Sequence, residues 1–193
     1  MSRCNDDLHL IRMAEAHLAN THRWLNRSDE LRRQVDCSEA PTEEGNRNHW
    51  HARWRDDSRE DYAIVTHGGR HIGNCGLRDI DRQRRKAQLW IYLGESYGIG
   101  YGTSAVRQLL ARAFHGLGLN RIYLRVIAEN IRAEKFYLKL GFVREGILRQ
   151  DTVHEGGYVD SIVMGLLADE FRRIQQTQEN AGSCEPLPFP GES

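Results

Sequence analysis

From Tyr62 onward the chain alternates short apolar runs with amphipathic stretches. "DYAIVT" and "HIGNCGLRDI" flank Gly68-Gly69, a dipeptide suited to a tight turn, and predict a hairpin. "KAQLWIYLG" (86–94) reads as a third strand. Val106, Leu109, Leu110, Ala113, Phe114 and Leu117 recur at i, i+3, i+4, i+7, i+8 and i+11, which is one buried helix face. "RIYLRVI" (121–127) returns to strand. A further helix follows, with Asn130 as its cap, Ala133, Phe136, Tyr137 and Leu140 as its buried stripe, and Gly141 as its stop. "FVREGILRQDTVHEGGYVDSIVMGLL" predicts two long strands turning at "EGG".

The first sixty residues are less regular. "LHLIRMA" (8–14) alternates as a strand, and Glu15 to Val35 has helical spacing interrupted near "NRSDE", where Ser28 would cap a second helix. A polar segment, "DCSEAPTEEGNRN", leads into "HWHARWRDD", whose Trp50 and Trp54 share a helix face and predict a third short helix. From about Ala168 the pattern is a polar helix followed by "CEPLPFPGES", a tail expected to lack fixed structure. There is no internal repeat. The order of elements predicts an α/β or α+β domain with a mostly antiparallel sheet.

With 193 residues the chain has room for one domain with a sizeable core. Its 27 acidic and 27 basic residues balance, so no net field favours nucleic acid or an anionic membrane. Lys86, Lys135 and Lys139 are the only lysines; the other basic residues are arginines. Cys4, Cys37, Cys75 and Cys184 form no CxxC pair and follow no apolar leader, and no apolar run approaches the ~20 residues of a membrane span. These features predict free thiols and a cytoplasmic protein without nucleic-acid or membrane partners. His49, His51, His67 and His71 lack a third ligand at useful spacing, so no metal site is expected.

The stretch "SYGIGYGTSAV" (96–106) carries the chemistry: three glycines at alternate positions, followed at once by a helix. It lacks the GK[ST] of a nucleotide triphosphatase loop. The dinucleotide pattern GxGxxG/A fits Gly100, Gly102 and Ala105, but no acid lies in 118–125, where that fold needs one for the ribose. A third pattern, Q/R-x-x-G-x-G/A, fits from Tyr97 to Gly102, with Tyr97 in place of Gln or Arg. Glycines let the main chain curl so that several N–H groups and the positive end of a helix face one anion. Glycines that only make a tight turn would look the same.

A second motif stands apart from the loop. "ENIRAEKFYLKLGF" (129–142) fits N-x-x-A-x-x-x-Y-x-x-x-G-F through Asn130, Ala133, Tyr137, Gly141 and Phe142. In this order, the two motifs resemble those of the GNAT N-acetyltransferases, and the resemblance extends from about Tyr62 to Leu167. "RWLNRSDELRR" is similar to the start of the branch containing ribosomal-protein N-terminal, spermidine and amino-sugar acetyltransferases.

The resemblance implies a mixed, mostly antiparallel sheet of about seven strands flanked by helices, with strands 86–93 and 121–127 splayed apart. It implies one domain over 1–167, with a helix and flexible tail over 168–193. Acetyl-CoA would be the co-substrate, with no metal. It would be held by main chain near Tyr92 and Leu93, by Tyr97, Gly98, Ile99, Gly100, Tyr101, Gly102 and Thr103, and by Asn130, Arg132, Ala133 and Phe136. Tyr137 matches the tyrosine that returns a proton to the departing thiolate, although its place on the apolar stripe equally fits packing. A phenol with pKa near about 10 suits a thiol near about 8.5–9.

Glu129 and Glu95 lie just beyond two strands and are the carboxylates available to take the amine's proton. The acceptor side is built in this family from the first helices and the last hairpin, where Trp24, Trp90, Glu95, Asp151, His154, Glu155 and Asp160 fall. Acids beside aromatics suit a cationic amine. Cys75 falls on an earlier strand, away from the expected cleft, so direct transfer without a cysteine nucleophile is expected. The acceptor implied is a small primary amine, an amino sugar or aminoglycoside-type antibiotic, with a protein N-terminus or a non-catalytic coenzyme A sensor as alternatives. Homodimers are common in the family, though no segment here marks an interface.

Overall fold

The computed structural model describes residues 8–34, 37, 39–95, 100–154 and 156–182. Seven strands form one sheet: β1 (Leu8–Arg12), β2 (Glu60–Thr66), β3 (His71–Asp81), β4 (Lys86–Leu93), β5 (Arg121–Ile127), β6 (Val143–His154) and β7 (Gly157–Leu167). Their order across the sheet is β1-β2-β3-β4-β5-β7-β6. Every neighbouring pair is antiparallel except β4 and β5. This is the expected mixed α/β architecture.

Six helices cover the sheet: α1 (Leu18–Arg27), α2 (Asp29–Gln34), α3 (Glu43–Trp54), α4 (Tyr101–Ala111), α5 (Ile131–Lys139) and α6 (Ala168–Gly182). Ser28 caps as expected, its Oγ accepting from the Leu31 N–H at 3.1 Å. The third helix starts earlier than the tryptophan spacing suggests, because Thr42 Oγ1 accepts from the Gly45 N–H at 3.0 Å and Glu43 and Glu44 fill the first turn. The cap was hidden in a segment that reads as polar linker.

Two cores lie on opposite faces of the sheet. On one face, Val106, Leu109, Leu110, Ala113 and Phe114 of α4 and the wider turn after it pack on Cys75, Leu77, Leu89, Ile122, Leu124 and Met164. Tyr137, Leu140 and Phe142 close the same core. The helix that reads as polar, α6, joins them through Phe171, whose ring lies 5.1 Å from that of Phe114. Gly141 ends α5 at φ 93°, and a Cβ there would meet Ile174 Cδ1 of α6 at 2.2 Å. On the opposite face, α1 to α3 cover β1 to β4 with two smaller clusters built on Leu18, Trp50, Ala63 and Val65 and on Trp24, Leu25, Leu31 and Tyr92.

Candidate active site

Parallel strands β4 and β5 pair over only three rungs, Lys86↔Arg121, Ala87↔Ile122 and Gln88↔Tyr123. Beyond them β4 stays with β3 as far as Leu93↔Gly73, while β5 stays with β7 as far as Ile127↔Ser161. The two strands therefore part in the middle of the sheet. Leaving such main-chain groups without a ladder partner is costly unless something else occupies the gap. On one face of the sheet α4 packs against β3 and β4, and α1 to α3 lie on the other.

At the end of β4 the chain turns into α4 through Gly100, whose φ of 93° favours glycine. Its carbonyl accepts from the N–H groups of Thr103 (3.0 Å) and Ser104 (3.2 Å). Gly102 leaves room for Phe136 of α5: a Cβ there would lie 3.6 Å from Phe136 Cζ and 3.9 Å from Leu93 Cδ1. The start of α4, the end of β4 and the face of α5 thus meet at the gap. Asn130 caps α5, its Oδ1 accepting from the Ala133 N–H at 3.0 Å. Tyr101 and Thr103 lie in the first turn of α4 and Arg132 is exposed on α5. Tyr97, Gly98 and Ile99, like Glu155, Cys4 and Cys184, lie outside the described residues.

Tyr137 lies on the same side. It is 9% exposed, and its ring makes edge contacts with Phe136 (5.0 Å) and Phe142 (5.5 Å). Burial, with a smaller contribution from the Cys75 thiol, pushes its phenol well above the usual tyrosine range. Cys75 is thus nearer to Tyr137 than its place on an earlier strand suggests, because both side chains enter the same core. Burial pushes the thiol up as well, so it is no thiolate nucleophile.

The face covered by α1 to α3 is polar. Asn74, fully buried on β3, donates from Nδ2 to Tyr92 Oη (2.6 Å) and Thr21 Oγ1 (3.0 Å). Its Oδ1 receives His71 Nε2–H at 2.8 Å, and Gly73 O shares that hydrogen at 3.0 Å. Both partners are acceptors, so His71 carries its proton on Nε2 and keeps a lone pair on Nδ1, which Asn20 Nδ2 approaches at 3.4 Å. Burial holds the His71 pKa below its usual value. Burial also pushes the Tyr92 phenol up to about 12.

His17, Asn20, Arg23, Arg70, His71 and Glu95 line an open cleft on this face, at the end of β4. Glu95 Oε1 accepts from Trp24 Nε1 (3.1 Å) and Arg23 (2.8 Å), which keep its pKa low. Trp24 is thus both core and hydrogen-bond donor. Trp90 is walled by Trp50 and Tyr92, and the Arg53 guanidinium lies 4.7 Å from its ring and 4.5 Å from that of Trp50. Asp151 pairs with Arg125 at 3.3 Å, and Asp160 accepts from the Gln150 N–H at 2.9 Å. His154 ends β6, while Glu129 is exposed in the turn before α5. Sequence reading weighed His71 only as a metal ligand and passed over Asn74 and Thr21. An asparagine inside the uncharged stretch from Ile72 to Leu77 was the available signal.

A family model for the acetyltransferase (GNAT) domain matches residues 7–143. The chain belongs to the GNAT acetyltransferase family. An uncharacterised N-acetyltransferase of Bacillus licheniformis is 34% identical over 109 residues, 56% of this chain and 61% of that relative. The spermidine N(1)-acetyltransferase of Escherichia coli is 31% identical over 122 residues, 63% of this chain and 66% of the relative. The matches therefore span under two thirds of either relative's length. The Vibrio cholerae spermidine N-acetyltransferase structure, determined with CoA and spermine, superposes with a TM-score of 0.81 at 24% identity, over 87% of this chain and 99% of that one. The GNAT co-substrate is acetyl-CoA, and the parted strands beside a left-handed glycine and a helix start fit such a molecule. No helix among the described residues is long and apolar enough to cross a membrane.

Proposed function

We propose that the chain transfers the acetyl group of acetyl-CoA directly to a primary amine of a small molecule, with an amino sugar as the acceptor class. The observation that carries the reading is the parting of β4 and β5 after Gln88↔Tyr123, with Gly100, Phe136 and Tyr137 beside it; a cleft lined by His71 and Glu95 lies over the other face, reaching just past the end of β4. Acetyl-CoA supplies the acetyl group as a thioester. The start of α4 offers N–H groups and a positive helix end to an anion. Tyr137 holds a proton at every working pH and delivers it to a sulfur. A thiolate formed in the same buried place is destabilised as the phenol is, so the two stay matched. On the cleft side, His71 Nδ1 or Glu95 takes the proton that the amine must lose.

The choice of acceptor follows from the acids. Glu95 is held by Arg23 and Trp24, and Asp151 by Arg125, so neither offers an unshared charge to a polyamine. An amino sugar needs fewer carboxylates and more neutral hydrogen-bond partners. The test is release of free thiol from acetyl-CoA with a panel of amino sugars, nucleotide-linked amino sugars, aminoglycoside-type antibiotics, polyamines and N-terminal peptides. Turnover with an amino sugar is expected. Turnover confined to polyamines or to peptides would overturn the acceptor class, and silence across the panel with coenzyme A still bound would favour a sensor.

A further inference from the structure

Four buried side-chain nitrogen or oxygen atoms among the described residues have no hydrogen-bond partner: Arg59 Nε, Arg78 Nε, Trp90 Nε1 and His154 Nδ1. Buried donors are normally satisfied, so such orphans ask for an explanation. The first three are N–H donors and belong to one neighbourhood. Asp61, Gly76 and Trp90 are opposite one another across β2, β3 and β4, and Arg78 is opposite Gln88 on the next rung of the same face. A Cβ on Gly76 would lie 2.8 Å from Trp90 Nε1 and 2.9 Å from Asp61 Oδ1, so the bare main chain is what lets these two groups approach. Arg59 enters just before β2 and comes within 3.8 Å of Asp61 Oδ2, too far for a hydrogen bond.

The charges do not balance. Asp61 accepts from both Nε and Nη2 of Arg53, at 3.0 and 2.6 Å, and meets Arg59 only as an ion pair at 3.8 Å, so one carboxylate serves more than one guanidinium. Burial and the nearby charges of Arg53 and Arg78 lower the Arg59 pKa, with Asp61 opposing. Arg53 is satisfied, whereas Arg59 Nε, Arg78 Nε and Trp90 Nε1 are buried without an acceptor.

We propose that Arg59, Arg78 and Trp90 Nε1 form an anion site that holds a phosphate or carboxylate group of the acceptor substrate. Gln88↔Tyr123 is the last rung joining β4 to β5, and Trp90 is the next β4 residue on this face. Two strand residues span about 7 Å, so an anion here stands roughly one sugar ring from the gap. The co-substrate's phosphates are accounted for separately, by the glycine turn across the sheet. The proposal rests on the reading that the amine enters from the α1–α3 face, and it narrows the acceptor to an amine that also carries an anion.

Two measurements test it. With the protein saturated in coenzyme A, so that the glycine turn is filled, inorganic phosphate at about tenfold over its Kd should raise the Tm by about 3–6 °C against chloride of equal ionic strength. Acetate in a parallel series separates carboxylate from phosphate. Arg59→Gln and Arg78→Gln should each lose the phosphate-dependent shift, with circular dichroism confirming that both fold. The shift persisting in both variants, or absent from the wild type, would overturn the site. In turnover, glucosamine 6-phosphate should be preferred over glucosamine by about tenfold or more in kcat/KM, and the Gln variants should bring that ratio towards one. Equal use of the two amines by the wild type overturns the substrate role. A phosphate shift lost in the variants, with neither amine acetylated, upholds the anion site and instead sinks the amino-sugar reading.

Discussion

On the α4–α5 side of the sheet, Cys75, Leu77, Leu89, Ile122 and Leu124 present an apolar surface to Val106, Leu109 and Tyr137. On the α1–α3 side, Asn74, Gln88, Trp90 and Tyr92 alternate with them along β3 and β4, and Asp61 of β2 shares their face; all but Trp90 are buried. One face binds by non-directional burial, which fixes where a helix lies but not which polar group it presents. The other is held by hydrogen bonds and charge pairs whose geometry is specific, and each is costly if one member is lost. The apolar face anchors α4 and α5, the elements proposed to hold a co-substrate shared by a whole family. The polar face is where a particular acceptor would be read.

The largest expected effect breaks the apolar side alone. Leu109→Ala removes a fully buried side chain between α4 and the sheet and should cost about 2–5 kcal/mol in urea unfolding, with the m-value unchanged. A loss below about 1 kcal/mol would mean that the α4 contact is not the rigid platform described. Next comes the chemistry on that side. Tyr137→Phe keeps the ring and its contacts with Phe136 and Phe142 and should lower kcat by about 100-fold while coenzyme A affinity stays the same. Full activity would reduce Tyr137 to packing.

The contrast between the faces also explains what the sequence disclosed. Helical and strand periodicity are signatures of apolar burial, so β2 to β7, α4 and α5 were legible, as were the Asn130 cap and the Gly141 stop. The glycine turn was legible because a positive φ such as that of Gly100 leaves a compositional mark. Periodicity says nothing of polar partners: that Glu95 is engaged by Trp24, 71 positions away, follows from where β4 ends relative to α1. The same holds for Arg53, whose place between two indoles and a buried acid depends on three separate elements. The early start of α3 was hidden because a Thr cap in a polar stretch has no apolar period to announce it.

On the polar face a single deletion should be comparable but smaller. Asn74→Ala leaves Tyr92 Oη, Thr21 Oγ1 and His71 Nε2 without the group that joins them, and should cost about 1–3 kcal/mol. Unlike Leu109→Ala, it should also reduce turnover by freeing the His71 ring to rotate. Loss of stability with kcat untouched would detach the network from catalysis.

The smallest effect is in the pH dependence, and its sign follows from burial. His71 is held below the ordinary imidazole value mainly by burial; the His17 charge adds to this, whereas the Asn74 hydrogen bond and Glu95 oppose it. A folded imidazole that resists protonation binds fewer protons than the unfolded chain. The stability it contributes is therefore full above about pH 6.5 and lost as pH falls below that value. The lone pair on Nδ1 must be unprotonated to accept the amine's proton, so kcat/KM should rise with pH through the lowered His71 value and be level by about pH 7. His71→Gln preserves a donor towards Asn74 but has no titrating lone pair. It should flatten this acid limb and lower the plateau by less than about tenfold, because Glu95 remains in the cleft. An unchanged limb in the variant would show that His71 is not the titrating base and leave it as a strut between the Trp24 ring, 4.7 Å away, and Asn74.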